Sequence, residues 1–255
     1  MIKNVTKDIK NHILYLFRNC DLNESELLNR DNFYEKIIEK LDDKHSIVDY
    51  FHGVSKCVFF LKEYPDLVVK IPFNGGLDPA SYSYKNSSYG SYDDFYWNES
   101  PIFCCADNAI VNCKGLKRNW DYCEVEEILF KRSRCAGVND YFAQTICIGE
   151  INDYPIYIQE KATILSDSDI DFKYHYRAVR ETKEQIKDII NEDIKDIIDR
   201  LPEEWIYDFY TKYGKELLIK LMSFIAEEEI SDLHCDNVGF INDRPVLTDY
   251  SSFWS

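Results

Sequence analysis

The fold is decided by Ile230-Ser-Asp-Leu-His-Cys-Asp-Asn-Val-Gly-Phe-Ile-Asn-Asp-Arg-Pro-Val-Leu-Thr-Asp249, a stretch near the end of the 255-residue chain. It begins as a loop that carries Asp232 and Asn237, continues as a predicted hairpin over residues 238–248, and reaches Asp249 directly after that hairpin. An acid, an amide oxygen and a second acid in this order suit metal-nucleotide chemistry. One Asp can orient a hydroxyl group while the Asn and the other Asp hold Mg²⁺ against a triphosphate.

This order of groups resembles the catalytic loop and the metal-binding Asp of the protein-kinase-like superfamily. The Asp-Leu-His sequence at 232–234 resembles its small-molecule branch, the aminoglycoside and choline phosphotransferases, and kinase-like proteins of bacteria and phages. The resemblance implies a bilobal α+β fold that binds ATP and Mg²⁺, with an antiparallel sheet in the N-lobe and mainly helices in a reduced C-lobe. It implies Asp232 as the base or hydroxyl orienter, and Asn237 and Asp249 as the metal ligands.

A lysine in an apolar strand is the second candidate. Three short runs rich in Val, Phe and Tyr, at 46–50, 57–61 and 67–71, predict three β-strands. Lys70 lies inside the third run, where a charge is costly unless it meets a counter-charge or a ligand. The run resembles the Val-Ala-Ile-Lys strand of kinases, which implies that Lys70 contacts the α- and β-phosphates. The alternative is a lysine that reaches solvent from an edge strand.

The turn between the first two predicted strands is a candidate phosphate-covering loop. Gly53 can supply a turn with positive φ, and Ser55 and Lys56 offer a hydroxyl group, backbone N–H groups and positive charge to a phosphate. The same residues also fit an ordinary hairpin turn.

A helix predicted over residues 122–134 carries the candidate partners of Lys70. Glu124 and Glu127 are spaced three apart beside the apolar stripe of this helix, whereas Glu126 is expected to point elsewhere. We therefore expect Glu124 to pair with Lys70, with Glu127 as the next choice. The alternative is that all three carboxylates are solvated.

Two further strands, predicted at 142–148 and 155–160, lead into a segment that resembles the adenine-binding hinge of kinases. The resemblance implies that backbone groups of Glu160 and Ala162 bond the purine edge. Backbone groups have no side-chain signature, so this expectation rests on position along the chain.

The predicted organisation has three parts: an N-terminal helical extension at 1–45, an N-lobe at 46–163 with an insertion at 74–120, and a C-lobe at 164–255. The N-terminal helices either pack on the N-lobe or carry a partner. The insertion is dense in Ser, Asn, Asp and Tyr, and connections of this length tend to be functional or disordered.

The C-lobe is predicted to hold charged helices within 173–200 and one further helix from Glu203 into the Asp232 loop. It departs from the kinase pattern in three ways. Ile230 stands where many kinases have a His, Asp249-Tyr-Ser replaces Asp-Phe-Gly, and six residues follow Asp249. These departures argue against a regulated protein kinase of the usual kind.

Composition excludes several other classes. A net charge of −16 argues against non-specific nucleic-acid binding by the whole chain, and the sequence lacks the run of eighteen apolar residues that a membrane span needs. Nine cysteines, without a signal peptide, predict free thiols and a cytoplasmic protein. The spacing of Cys104, Cys105, Cys113 and Cys123 does not fit a zinc site.

Two functional classes remain. The first is an enzyme that transfers a phosphoryl group from Mg²⁺-ATP to a small molecule, a nucleotide or an exposed protein side chain. The second is a catalytically inactive, pseudokinase-like binding or scaffold protein. The bias towards Ile, Lys, Asn, Asp and Tyr is typical of AT-rich genomes and indicates a bacterial, phage or viral origin, with a host cytoplasm as the expected location in the last two cases.

Overall fold

The structure is a computed structural model and describes residues 2, 5–20, 33–41, 43–52, 56–72, 122–151, 154–165, 170, 173–190, 192–228, 230 and 233–251. Three predicted site residues, Gly53, Ser55 and Asp232, and the predicted insertion at 74–120 lie outside this part of the chain.

The described chain is an α+β protein. Its strands are β1 (Ile47–His52), β2 (Lys56–Leu61), β3 (Leu67–Pro72), β4 (Thr145–Ile151), β5 (Tyr154–Glu160), β6 (Val238–Ile241) and β7 (Arg244–Leu247). Its α-helices are α1 (Lys7–Phe17), α2 (Phe33–Lys40), α3 (Tyr122–Ala136), α4 (Tyr176–Lys187), α5 (Glu192–Arg200), α6 (Glu203–Tyr213) and α7 (Lys215–Glu227).

The chain forms two compact units. Unit 1 comprises Met1–Glu127 and Gln144–Lys161, and unit 2 comprises Ile128–Ala143 and Ala162–Ser255. The division falls within α3, so the first turns of this helix belong to unit 1.

An antiparallel sheet of five strands, in the order β1-β2-β3-β5-β4, forms the framework of unit 1. Because strand side chains alternate between the two faces, residues paired across the sheet share a face. One face belongs to an apolar core in which Phe59, Val69 and Ile158 are fully buried. Helix α1 contributes Ile13 and Phe17 to the same core, and the Phe17 and Phe59 rings meet edge to face at 5.4 Å. Of the two alternatives for the N-terminal helices, packing on the sheet is therefore observed for α1.

Unit 2 contains helices α4 to α7 and the β6–β7 hairpin. The hairpin turns at Asn242 and Asp243, with φ values of 50° and 59°, as a two-residue turn of the primed type requires. This tight turn lets β7 begin at Arg244. The peptide groups of Thr163 and Phe240 exchange hydrogen bonds of 2.9 Å beside β6.

Two sequence expectations are wrong at element boundaries. The helix expected to continue from Glu203 is divided at Gly214, whose φ of 81° ends α6 before α7 begins. The strand expected from Phe142 begins at Thr145, because Phe142 instead forms a parallel bridge with Leu247.

Candidate functional site

The central feature of unit 1 is a buried ion pair between Lys70 and Glu126. The Lys70 Nζ atom lies 2.9 Å from Oε1 and 2.8 Å from Oε2 of Glu126. Lys70 is 4% exposed and Glu126 is fully buried. Of the possibilities that the sequence leaves open for Lys70, the structure shows a counter-charge, which comes from α3.

Three further residues bond the same carboxylate. The Lys56 Nζ atom donates to Oε1 at 2.6 Å, while Thr145 Oγ1 and Gln159 Nε2 donate to Oε2 at 2.8 and 3.2 Å. Gln159 also donates to Thr145 Oγ1 at 2.8 Å. Both Glu126 oxygens thus accept several charged or neutral hydrogen bonds. We call Lys56, Lys70, Glu126, Thr145 and Gln159 the Glu126 cluster.

The register of the sheet explains why these polar groups converge. Val58 pairs with Lys70, and Thr145 pairs with Gln159 across β4 and β5. Lys56 is two residues from Val58 and therefore points to the same side as Lys70. Val68 is likewise two residues from Lys70 and pairs with Gln159, so Gln159 and its partner Thr145 also lie on this side. The four donors Lys56, Lys70, Thr145 and Gln159 therefore share the face opposite the apolar core.

The pairing corrects the prediction for the helix. Glu124 was expected to meet Lys70 and Glu126 to point elsewhere, but Glu126 is the buried carboxylate that bonds Lys70, whereas Glu124 and Glu127 are half-buried. The buried face of α3 runs through Tyr122, Glu126, Leu129 and Ser133, which is the spacing of one helical face.

Sequence reasoning missed this face because it placed Glu124 and Glu127 beside the apolar stripe of the helix and expected Glu126 to point elsewhere. The signal available in the sequence was the placement of Glu126 in line with Tyr122 and Ser133, four residues before it and seven after it. It also missed Thr145 and Gln159, whose signal is a polar side chain inside an apolar strand, as for Lys70.

The cluster is energetically demanding. Removing an ammonium or carboxylate group from water costs several kcal/mol, about what a well-formed buried ion pair regains. Loss of one partner therefore leaves the other charge buried with fewer opposite charges to offset its desolvation cost. Such a cluster indicates a defined arrangement of β2, β3 and the start of α3, rather than a large gain in stability.

The predicted metal ligands lie in unit 2, at one end of the β6–β7 hairpin. Asn237 is 7% exposed and ends a short 3₁₀ turn, and its N–H donates to the carbonyl of His234 at 3.0 Å. Its carbonyl accepts from the N–H of Thr248 at 2.9 Å. Since Asp249 directly follows Thr248, both predicted ligands adjoin the open end of the hairpin.

The chemistry of these two side chains suits a hard divalent cation. Asp249 is half-buried, and its Oδ1 accepts from Ser251 Oγ at 3.4 Å. A carboxylate and an amide oxygen are ligands that Mg²⁺ accepts, with water and phosphate oxygens as the other ligands. Among the described residues, three or more His, Cys, Asp or Glu side chains do not come together as a metal cluster. The assignment of Asn237 and Asp249 as ligands stays a prediction.

Glu160 and Ala162, the two residues of the predicted hinge, lie in the stretch of sequence where unit 1 ends and unit 2 resumes. The Glu160 N–H donates to the Gln144 carbonyl at 3.3 Å, and the Glu160 carboxylate accepts from the Gln144 N–H at 3.2 Å. Glu160 ends β5 in unit 1, and Ala162 begins a segment of unit 2. Their predicted contacts with a purine stay predictions, as do the predicted roles of Gly53, Ser55 and Asp232.

Comparison of this chain with protein-family models, curated proteins and solved structures gave no significant match. None of the described helices is both long enough and apolar enough to cross a bilayer.

Proposed function

We propose that this chain is a Mg²⁺-ATP-dependent phosphotransferase of the protein-kinase-like type, which acts on a small molecule, a nucleotide or an exposed protein side chain. One observation supports the proposal most strongly: the buried pair of Lys70 on β3 and Glu126 on α3. A lysine on the third strand and a glutamate on the next helix is the order that the sequence resemblance requires.

Glu126 preorganises the ammonium group of Lys70 for contact with a phosphate. A lysine side chain has several rotatable bonds, and ordering it at a phosphate costs conformational entropy. In unit 1, two hydrogen bonds to Glu126 already fix the ammonium group of Lys70. A group fixed before the ligand binds pays less of that cost on binding, which favours both affinity and a defined phosphate geometry.

In the proposed mechanism, Lys70 contacts the phosphates of ATP and Glu126 holds its ammonium group in position. Asn237 and Asp249 would hold Mg²⁺, which would neutralise charge on the phosphates, and Asp232 would orient the acceptor hydroxyl group or accept its proton. Backbone groups of Glu160 and Ala162 bond the adenine edge. We expect this activity in a cytoplasm, where ATP is abundant and the thiols stay reduced.

The test is calorimetric titration of the protein with ATP, with and without Mg²⁺. Asp249→Asn removes a charged metal ligand and should abolish most of the Mg²⁺-dependent binding. Asp243→Asn is the matched control, because Asp243 is an exposed carboxylate in the turn of the same hairpin and Asn also tolerates positive φ. This control should bind as the wild type does.

Well-folded wild-type protein that binds no ATP would refute the enzyme proposal. The kinase-like binding or scaffold protein would then be the better description. Equal losses in the Asp249 and Asp243 variants would instead refute the metal role of Asp249, because a metal ligand and a turn residue should respond differently.

A further inference from the structure

We propose that Lys56 is a second phosphate-contacting lysine, which acts with Lys70 as a pair of ammonium groups on the phosphates of one nucleotide. This inference rests on the proposed function and extends it. The sequence places Lys56 in a turn, where it either contacts a phosphate or is an ordinary hairpin residue, whereas the structure places it in β2, inside the Glu126 cluster beside Lys70.

Lys56 and Lys70 converge on one oxygen atom of Glu126. The ammonium groups of Lys56 and Lys70 both donate to Oε1 of Glu126, at 2.6 and 2.9 Å. They come from neighbouring strands and reach the same side of the sheet. A ligand that contacts the ammonium group of Lys70 near this carboxylate therefore also lies close to the ammonium group of Lys56. A polyphosphate carries several anionic oxygens and can accept from two ammonium groups at once.

Glu126 can keep its hydrogen bonds while both lysines contact a phosphate. Its Oε2 accepts from Thr145 and Gln159 in addition to Lys70. An ammonium group has three N–H donors, so Lys56 and Lys70 can each keep a bond to Glu126 and direct another N–H to a phosphate oxygen. Contact of both lysines with one nucleotide therefore does not require breaking a buried pair.

The register of the sheet also places Lys56 near Lys70. Lys56 is the first residue of β2 and pairs with Pro72 at the end of β3, two residues beyond Lys70.

A purely structural role explains Lys56 less well. It is 3% exposed, so burying its ammonium group carries the desolvation cost of an ion as well as the entropy of a long side chain. Apolar residues of similar volume often replace buried ion pairs without loss of stability. Direct contact with a polyanion gives a reason for positive charge at this position.

The deciding experiment uses the wild-type chain and an acyl-phosphate derivative of ATP, with Mg²⁺. A lysine beside the phosphates attacks the acyl carbonyl carbon through Nζ, forms an amide and releases ATP, and mass spectrometry identifies the acylated residue. We expect acylation at both Lys56 and Lys70, suppressed by excess ATP. The exposed Lys62 is an internal control whose acylation ATP should not suppress.

The outcomes separate the two proposals. ATP-suppressible acylation at Lys70 alone would overturn the role of Lys56 and leave the proposed function standing. Absence of ATP-suppressible acylation at both lysines would overturn both.

Two variants provide an independent check. Lys56→Met should weaken ATP binding about tenfold, the scale of one lost charged hydrogen bond, and leave adenosine binding unchanged. Lys56→Arg retains the charge and should recover most of the ATP affinity. If Lys56→Met weakens adenosine and ATP binding equally, Lys56 supports the fold and does not contact phosphate.

Discussion

Lys70 and Glu126 lie 56 residues apart in the chain, and the two oxygens of Glu126 accept hydrogen bonds of 2.9 and 2.8 Å from the Lys70 ammonium group. The contact joins the middle of β3 to the second turn of α3 inside unit 1. Because both side chains are buried, the pair is shielded from solvent and salt, unlike ion pairs on a protein surface.

Glu126→Gln should destabilise the protein strongly. The substitution preserves the size of the side chain but leaves the ammonium groups of Lys56 and Lys70 beside a neutral amide. Breaking a buried pair in this way costs about 3–5 kcal/mol of unfolding free energy, which urea denaturation measures. Glu127→Gln is the same change at the next, half-buried position and should cost less. Equal losses would show that the Glu126 cluster has no special part in stability.

Lys70→Met should weaken binding of Mg²⁺-ATP while the protein stays folded. Glu126 would still accept from Lys56, Thr145 and Gln159, so the loss of stability should be smaller than for Glu126→Gln. Isothermal titration measures the affinity, and Lys62→Met, at an exposed position beside β2, serves as the control. An unchanged affinity in Lys70→Met would leave Lys70 as an ordinary strand residue.

Gly239→Ala should destabilise unit 2 because the backbone of β6 approaches a neighbouring segment closely. A Cβ atom at Gly239 would lie 2.8 Å from Cβ of Ala162, 2.8 Å from Cδ1 of Ile164 and 3.0 Å from the Thr163 carbonyl oxygen. Overpacking of this kind costs about 1–3 kcal/mol, to be measured by urea denaturation. Adding Ala162→Gly removes one of the contacts and should recover part of the loss. A neutral Gly239→Ala substitution would contradict the close approach.

Glu228 should make stability depend on pH. Burial raises its pKa from an ordinary value of 4.5 to about 7, although Arg132, whose Nε lies 2.8 Å from Oε1, opposes the shift. Between these pH values the folded protein holds more protons on Glu228 than the unfolded chain does. The stability contributed by this group is therefore present below the unfolded pKa and is lost as pH rises through the folded pKa.

Glu228→Gln removes this titration. Thermal unfolding of wild type and variant from about pH 5 to pH 8 isolates the effect, because the other titrating groups contribute equally to both proteins. We expect the stability of the variant relative to wild type to rise across this range. A constant difference would show that Glu228 is ionised throughout the range.

The sequence by itself determined strands β2 and β3 and the position of one charged residue inside a strand. Alternating and β-branched runs predicted β2 and β3 within a residue or two, and Lys70 inside β3 was expected either to meet a counter-charge or ligand or to reach solvent. These are local properties, since the strand period and the cost of burying a charge depend on nearby residues. They also sufficed to predict a helix at 122–134, close to the observed α3.

Only the tertiary structure decided which residues meet. Helical periodicity gives the angles between Glu124, Glu126 and Glu127, but the rotation of α3 against the sheet follows from the packing of all its buried residues. The meeting of Lys56 with Lys70 likewise depends on the register of β2 against β3, which pairing across the whole sheet fixes. Choice of partner is therefore a long-range property, because it needs elements that are distant in sequence to be in place together.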